Sequence, residues 1–439
     1  MEFFNRVKEI ARLREIRDFS ANNAQFTVIT GRRRIGKTQL TLRAYEDAPM
    51  LYFFVARKAE TFLCQDFQQE ISEKLNIPFL GEIHSFGKLF EYLMILSEQR
   101  AFTLIIDEFQ EFYRVAPSVY SDIQRSWDLY HGKSKINLIV CGSVYSLMHR
   151  IFENNKEPLF GRMTANMTVK PFEVTVLKEI LAAHNPKYTA EDLLAFYSFT
   201  GGVAKYVQLL MDGKAYTYQK MLSFMICEDS IFINEGKNML IEEFGTEYAT
   251  YFTILSAIAR GENTRAKIEA VVRKEIGGYL TKLEQDYGLI SKTLPLFSKV
   301  ETKNVRYILE DNFLIFWFRF IYKYGYMLEV GNYNGLITII DRDYKTFSGK
   351  MLEKYFHTKI IQTQDVTGIG SYWDRKGENE IDLIVVNEFD REAQIIEVKR
   401  NIERVNMEQL KMKASQFLRV TAQLNDYRIT CSGLSLKDI

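Results

Sequence analysis

The sequence has few cysteines and no long apolar run. Its four cysteines, at positions 64, 141, 227 and 431, are scattered rather than paired, which argues against a disulfide framework and for a reducing compartment. No run of 18 apolar residues occurs, so no transmembrane helix and no membrane partner are expected. The N-terminus, MEFFNRVKEIARLREI, lacks the apolar core of a signal peptide. A cytoplasmic protein is therefore expected.

An excess of charge of one sign is also missing. The 57 basic and 56 acidic residues leave a net charge of +1, so any nucleic-acid site must be a local basic patch. The five histidines are dispersed, and no cysteine accompanies them at zinc-ligand spacing. The length of 439 residues suggests two to four domains.

Prolines number only seven, so domain boundaries must be read from periodicity. Residues 1–20 have the pattern of an amphipathic helix. Short apolar runs at 26–30, 51–55, 103–107 and 137–143 alternate with helical sequence, which is typical of buried parallel strands. Residues 172–320 are mostly helical, and apolar strands return at 381–386 and 393–399. The pattern predicts an N-terminal α/β domain, a helical middle and a small C-terminal α/β domain.

The segment GRRRIGKT at 31–38 fits the phosphate-loop pattern G-x-x-x-x-G-K-[ST]. Its backbone N–H groups would face phosphates, Lys37 would neutralise phosphate charge, and the Thr38 hydroxyl would bind Mg²⁺. A chance match is the alternative, and the strand before and the helix after the loop disfavour it. ATP and Mg²⁺ are the expected cofactors. The candidate nucleotide-binding residues are Gly31, Arg32, Arg33, Arg34, Ile35, Gly36, Lys37, Thr38 and Gln39. The three arginine side chains are expected to contact solvent, a partner or other domains.

Acidic and polar residues end the later strands. Asp107 is predicted to hold the Mg²⁺ shell, and Glu108 to orient and deprotonate an attacking water. Ser143 either senses the γ-phosphate or is simply a small residue at a strand end. Arg162, in PLFGRMT, is either the cation that meets transition-state charge, in cis or from another subunit, or part of a structural salt bridge.

These segments together resemble a known family. The stretches 3–13 (FFNRVKEIARL), 31–38, 104–110 (LIIDEFQ), the Gly-Arg of PLFGR and 200–207 (TGGVAKYV) resemble the archaeal-type P-loop ATPases, which are related to AAA+ and STAND proteins. Residues 307–320 resemble the opening of an uncharacterised C-terminal domain often fused to them. The resemblance implies an α/β fold with a P-loop NTPase parallel sheet (1–171), a helical lid (172–246), a winged helix (247–310) and a C-terminal domain (311–439). It also places Phe4 and Arg6 near the nucleotide.

The segment 251–292 reads as three helices followed by a wing. Arg265, Lys267, Arg273 and Lys274 precede its third helix, but that helix carries acids as well as Lys282. The segment therefore either contacts DNA or has a structural or protein-interaction role.

A second constellation lies near the C-terminus. Glu397 and Lys399 are two residues apart on one strand face, and a short turn to the preceding strand brings Asp382 close. With Glu353 from the upstream helix, these residues resemble the PD-(D/E)xK nuclease fold. Asp382, Glu397 and Lys399 are then the catalytic candidates, Glu353, Asp382 and Glu397 the metal ligands, and Gln409 a further position that the resemblance implies. An ordinary salt bridge is the alternative, and 16 basic against 16 acidic residues over 340–439 give no broad basic surface.

Three hypotheses follow for the function. The protein is an ATPase coupled to a metal-dependent nuclease-like domain that acts on DNA, or a regulatory ATPase that binds DNA or protein without cutting, or a nucleotide-binding scaffold without turnover. DNA, another protein and a second copy of the chain are the macromolecular partners considered.

Overall fold

The computed structural model describes residues 4–299 and 301–439. The chain divides into two compact units, the first ending at Lys170 and the second running from Pro171 to Ile439. The finer division of the second unit into lid, winged helix and C-terminal domain stays a prediction.

Helices and strands alternate in the first unit. The strands are β1 Gln25–Thr30, β2 Met50–Phe54, β3 Phe102–Asp107, β4 Ile136–Cys141 and β5 Ala165–Thr168. The helices are α1 Val7–Phe19, α2 Lys37–Ala44, α3 Glu60–Leu75, α4 Phe86–Gln99, α5 Phe112–Val115, α6 Val119–Tyr130 and α7 Tyr145–Glu153.

The five strands form one parallel sheet in the order β2-β3-β4-β1-β5. Every residue of β3 and β4 is buried, as expected when both faces of a parallel sheet are covered. The predicted α/β fold is confirmed. Strand β5 was not predicted, because its residues, ANMT, alternate between partly buried and exposed at the sheet edge and form no apolar run.

An aromatic core supports the strand ends of this sheet. The rings of Phe53 and Phe67 stack with centroids 4.2 Å apart, and Phe86 lies 4.7 Å from Phe112. Burial of each such side chain contributes roughly 1.5–3 kcal/mol to stability. Phe112 follows β3 closely in the chain, so this core also holds the segment after Asp107 in place.

The second unit is helical at first and strand-rich at its end. Its helices are α8 Val174–His184, α9 Ala190–Thr200, α10 Ala204–Asp212, α11 Tyr218–Met225, α12 Ile231–Phe244, α13 Tyr248–Ala259, α14 Arg265–Val272, α15 Gly277–Thr281, α16 Asn312–Phe316, α17 Gly325–Glu329, α18 Tyr333–Thr363 and α19 Met407–Arg419. Its strands are β6 Ile290–Thr293, β7 Arg306–Leu309, β8 Gly368–Trp373, β9 Glu380–Asn387, β10 Glu392–Val398 and β11 Arg428–Leu434.

The segment predicted as a winged helix contains α13, α14, α15 and the antiparallel hairpin of β6 and β7. The loop of this hairpin is tied to β8. Leu296 N–H donates to the Ser371 carbonyl at 2.9 Å, and the Trp373 indole donates to Asn304 Oδ1 at 2.9 Å. The Arg306 guanidinium lies 4.3 Å from the centre of the Trp373 ring. The loop between β6 and β7 is therefore packed against β8 of the same unit. The winged-helix assignment stays a prediction.

The C-terminal strands form a mixed four-stranded sheet in the order β11-β10-β9-β8. The β8–β9 and β9–β10 pairs are antiparallel, and β11 runs parallel to β10. Apolar residues of β9 and β10 pack against α19 through Leu410 and Phe417. The hairpin of β9 and β10 sets the relative positions of Asp382 and Glu397.

Candidate functional site

The phosphate loop begins where β1 ends and closes at the start of α2. Gly31 has φ +146°, and a Cβ there would lie 2.7 Å from the Val169 carbonyl oxygen. Gly36 has φ 94° and Arg34 φ 66°, so the loop uses the left-handed region that favours glycine. These conformations let the chain curl back before α2, whose first N–H groups are available to anions.

Lys37 projects into this loop and is 7% exposed. Its Nζ donates to the carbonyl oxygens of Gly31 at 2.8 Å and Arg32 at 3.2 Å. Burial lowers the pKa of Lys37, while the charges of Asp107 and Glu108 act in the opposite direction. The two backbone carbonyls carry no formal charge. A bound phosphate would supply the negative charge that favours the protonated form of Lys37.

Thr38 and Asp107 meet across the ends of α2 and β3. The Thr38 hydroxyl donates to Asp107 Oδ2 at 2.6 Å, and the Tyr52 hydroxyl donates to the same oxygen at 2.9 Å. Asp107 is 4% exposed. Hydroxyl and carboxylate oxygens are the ligands that Mg²⁺ prefers, so the chemistry of this pair fits the ion predicted for it.

Glu108 follows Asp107 in the left-handed conformation, with φ 53°. Ser143 Oγ donates to Glu108 Oε2 at 2.8 Å, and Gln110 Nε2 donates to the same oxygen at 2.5 Å. Gly142 makes room for this arrangement, because a Cβ there would lie 2.6 Å from Gln110 Oε1 and 2.2 Å from Met148 Sδ. The Glu108 carboxylate is therefore fixed in direction, as a residue that orients a water must be.

The order of strands explains why these side chains meet. β4 lies between β1 and β3, with Cys141 opposite Ile29 and Val140 opposite Ile106. The carboxyl ends of the three parallel strands therefore lie at one edge of the sheet, where ligands of such folds bind. Asp107 and Glu108 reach the same edge as Ser143 and the phosphate loop.

Other predicted positions lie at the rim of the loop or away from it. Arg33 and Gln39 are exposed, whereas Ile35 is buried and its carbonyl accepts a hydrogen bond from Arg6 at 3.4 Å. Arg162 makes a two-pronged ion pair with Asp128, at 3.1 and 2.9 Å. This pairing matches the structural alternative for Arg162, and its role in hydrolysis stays a prediction.

Tyr52 and Gln110 were not among the predicted site residues. Tyr52 lies on β2 opposite Ile105, close enough to the end of β3 for its hydroxyl to reach Asp107. Gln110 follows Glu108 by two residues and turns back to it. Tyr52 lies in the middle of β2 and Gln110 in the turn after β3, so only the strand order and register show that their side chains reach this site.

In the second unit, the β9–β10 hairpin brings three predicted residues together. Lys399 Nζ lies 3.3 Å from Asp382 Oδ2 and 3.2 Å from Glu397 Oε1. Val398 N–H also donates to Asp382 Oδ2, at 2.8 Å. Burial works to lower the pKa of Lys399, but the two carboxylates outweigh it and the pKa is raised. We call Asp382, Glu397, Lys399 and Glu353 the C-terminal cluster.

Glu353 joins this cluster through charge. Burial and the negative charge of Asp382 together raise its pKa to about 8, against the opposing charges of Lys350 and Lys399. Glu397 Oε2 is buried and makes no hydrogen bond within the described residues. Even so, residues 4–299 and 301–439 contain no group of three or more Asp, Glu, His or Cys side chains arranged to hold a metal ion. The predicted metal ligands Asp382 and Glu397 therefore lie close together, but Lys399 is paired with both of them.

The chain is similar to known proteins over most of its length. Residues 3–210 match a family described as an ATPase domain predominantly from Archaea, and residues 317–411 match one described as archaeal and bacterial proteins of unknown function. A Methanocaldococcus jannaschii protein described as uncharacterised is 30% identical over 407 residues, which cover 90% of this chain and 87% of that protein.

Two solved structures share the fold. A Walker-type ATPase of Pyrococcus abyssi has a TM-score of 0.55 at 21% identity, covering 72% of this chain and 96% of that one. The ORC2 protein of Aeropyrum pernix, solved in complexes with ADPNP and ADP, has a TM-score of 0.50 at 14% identity, covering 76% and 95% respectively.

Fold, loop and family match together define an ATP-binding P-loop ATPase. The chain belongs to the same family as the M. jannaschii protein, and it carries an ATPase domain of the predominantly archaeal type followed by a C-terminal region of the second family. None of the helices in the described part of the chain combines the length and apolar character that a membrane crossing requires.

Proposed function

We propose that the protein is a Mg²⁺-dependent ATPase whose nucleotide state controls a C-terminal, nuclease-like site that acts on DNA. ATP hydrolysis is supported by two side-chain hydrogen bonds at the same edge of the parallel sheet. Thr38 is bonded to Asp107, and Ser143 is bonded to Glu108.

Each residue of this edge has a distinct task in the proposal. Lys37 offsets phosphate charge, and the loop N–H groups bind phosphate oxygens. Thr38 and Asp107 would hold Mg²⁺, which supplies charge neutralisation at the transferred phosphate. Glu108, held by Ser143 and Gln110, accepts a proton from the attacking water. Glu108 is the residue on which turnover, rather than binding, depends.

Phosphate release by Glu108→Gln tests this assignment. We expect ATP binding to persist while turnover falls at least about 100-fold, the scale of a lost general base. The matched control is Glu73→Gln on the exposed face of α3, for which turnover should be unchanged. Full turnover by Glu108→Gln would remove Glu108 from the mechanism. Absence of turnover in the unaltered protein would favour a non-hydrolysing scaffold.

The proposal for the C-terminal domain rests on the cluster around Lys399. Carboxylates beside a lysine can bind a divalent cation and stabilise charge on a phosphodiester. Here Asp382 and Glu397 both contact Lys399. Within the described residues, the buried Oε2 of Glu397 makes no hydrogen bond and could bind a cation. Glu353 would add a third carboxylate from α18.

Cleavage of DNA and RNA with Mg²⁺ or Mn²⁺, with and without ATP, tests the second part. We expect cleavage that Asp382→Asn abolishes and that Asp390→Asn, in the exposed turn of the same hairpin, leaves unchanged. If the preparation hydrolyses ATP but cuts neither nucleic acid, the nuclease proposal fails and the ATPase proposal stands.

A second candidate is an ATP-dependent regulatory switch that binds DNA, protein or a second copy of the chain without cleavage. Lys399 lies between Asp382 and Glu397 as an ordinary ion pair would, and no metal-type ligand group is formed in the described residues. The balanced charge of residues 340–439 also favours binding without cleavage. Cleavage that depends on Asp382 would exclude this candidate.

A further inference from the structure

Arg400 directly follows the lysine of the C-terminal cluster and points away from it. Lys399 Nζ contacts Asp382 and Glu397, whereas Arg400 Nη2 forms an ion pair with Glu191 in the first turn of α9. The partners Arg400 and Glu191 lie 209 positions apart in the sequence. Adjacent residues at the end of β10 thus face two different parts of the second unit.

The second arm of Arg400 reaches the long helix α18. Its Nη1 donates to Ser348 Oγ at 2.5 Å, and its guanidinium lies 5.7 Å from the centre of the Tyr344 ring. Ser348 is fully buried. Glu353 lies five residues further along the same helix. Arg400 therefore connects the strand end that carries Lys399 to the helix that carries the third carboxylate of the cluster.

The α9 end of this connection is well ordered by its own hydrogen bonds. Thr189 and Asp192 form a capping box at the N-terminus of α9, and Asp192 Oδ1 accepts the N–H of Tyr218 at 2.7 Å. Glu191 lies between them, with only 32% of its side chain exposed. An arginine anchored on such a helix end has a defined position, because its fork of donors admits few geometries.

The connection joins segments from different parts of the sequence. Glu191 belongs to the stretch that matches the ATPase family, and Arg400 to the stretch that matches the family of unknown function. Residues that hold a metal ligand in place commonly alter metal affinity 10- to 100-fold when replaced. The hydrogen bonds of Arg400 go to Ser348 and Glu191 rather than to the carboxylates of the cluster, so Arg400 would act on the cluster indirectly, through the adjacent Lys399 and through α18.

We propose that Arg400 is a positioning residue that sets the C-terminal cluster through its ion pair with Glu191, so that the affinity of the cluster for a divalent cation depends on the position of α9. This inference rests on the proposed cation-binding function of the cluster. Within the stretch that matches the ATPase family, α9 is then the helix on which the geometry of the C-terminal cluster depends.

Mn²⁺ titration of the full-length, nucleotide-free protein tests this inference. The relevant signal is the Mn²⁺ binding that Asp382→Asn removes. Arg400→Gln and Glu191→Gln should each weaken that binding by about tenfold. The exchanged pair, Glu191→Arg with Arg400→Glu, should restore at least part of the loss. Arg428→Gln, which breaks the exposed ion pair with Glu392 at the opposite end of β10, is the matched control and should have no effect.

The two single variants separate positioning from simple charge. Removing the positive charge of Arg400 would by itself strengthen cation binding, and removing the negative charge of Glu191 would weaken it. Positioning predicts that both weaken it. If the two variants change Mn²⁺ affinity in opposite directions, or if Arg400→Gln leaves it unchanged, the positioning role of Arg400 is wrong. The proposed cation site would still stand.

Other outcomes also decide the matter. If no Mn²⁺ binding depends on Asp382, the proposed cation site and this inference both fail. If Arg400→Gln does not fold, Glu191→Gln, which keeps a side chain of the same shape, carries the test. A loss of affinity that merely follows a loss of folded protein, seen as a matching fall in Tm, would contradict the positioning role.

Discussion

The phosphate loop and the C-terminal cluster both place a lysine beside carboxylates at strand ends, yet they use it differently. Lys37 is hydrogen-bonded to backbone carbonyls, and the nearby carboxylates are bonded to hydroxyl and amide groups. Lys399 is paired directly with Asp382 and Glu397. The first arrangement leaves a positive charge for an anionic ligand, whereas the second neutralises the carboxylates that would receive a cation.

Replacing the two lysines is the strongest way to test this comparison. Lys37→Ala should lower ATP turnover by roughly 100- to 1000-fold, the scale of a lost charge-stabilising group. Arg43→Ala, which removes an exposed pair on the same helix, is its control. Lys399→Ala should leave ATP turnover unchanged and destabilise the protein, because Asp382 and Glu397 then repel each other. Turnover and thermal unfolding of all three variants give the answer. Normal turnover in Lys37→Ala would contradict the assigned site.

Glycine 142 tests whether the packing beside Glu108 matters. Gly142→Ala places a Cβ 2.6 Å from Gln110 Oε1 and 2.2 Å from Met148 Sδ, so both must move. We expect turnover to fall about tenfold or more and the free energy of unfolding to drop by about 1–3 kcal/mol. Gly132→Ala is the control, because a Cβ added at that position would have no neighbouring atom within 4 Å. Equal turnover in both variants would show that Gln110 does not need its present place.

Glu353 predicts a pH dependence confined to the C-terminal cluster. Its pKa is raised to about 8 by burial and by Asp382. The folded state therefore holds this proton more tightly, and stability falls as pH rises from about 4.5, the ordinary pKa, to about 8. In chelator-treated protein at pH 8–9, the free energy of unfolding of Glu353→Gln should be roughly 1–3 kcal/mol higher than that of the unaltered protein. The two should converge near pH 4.

Denaturant unfolding across this pH range measures the effect. The exposed Glu388→Gln in the β9–β10 turn is the control and should follow the unaltered protein. If the difference between Glu353→Gln and the unaltered protein does not change with pH, Glu353 is not held in its protonated form.

The smallest expected effect concerns Tyr52, which shares Asp107 with Thr38. Tyr52→Phe removes the 2.9 Å hydrogen bond to Asp107 Oδ2, worth about 1 kcal/mol. We expect a severalfold loss of ATP turnover with little change in stability. Tyr130→Phe, which loses a hydrogen bond to Glu91 on the surface of α4, should leave turnover unchanged. An effect larger than that of Lys37→Ala would mean that Tyr52 has a more direct role.

Several features could be predicted because they depend on neighbours in the sequence. The glycines of the phosphate loop, the acids that end a buried apolar strand, and the alternation of strands and helices are all local patterns. The hairpin of β9 and β10 was predictable for the same reason, since a short turn pairs adjacent strands. The edge strand β5 was not, because its residues carry no apolar pattern.

The sequence by itself determined the α/β class, the phosphate loop and the proximity of Asp382 to Glu397, since each follows from local periodicity and spacing. Only the tertiary structure decided that Tyr52 and Gln110 complete the surroundings of Asp107 and Glu108, that Arg162 pairs with Asp128, and that Arg400 reaches Glu191. These contacts depend on strand order, on register and on the packing of helices that are distant in the sequence. The spacing of residues along the chain does not specify any of the three.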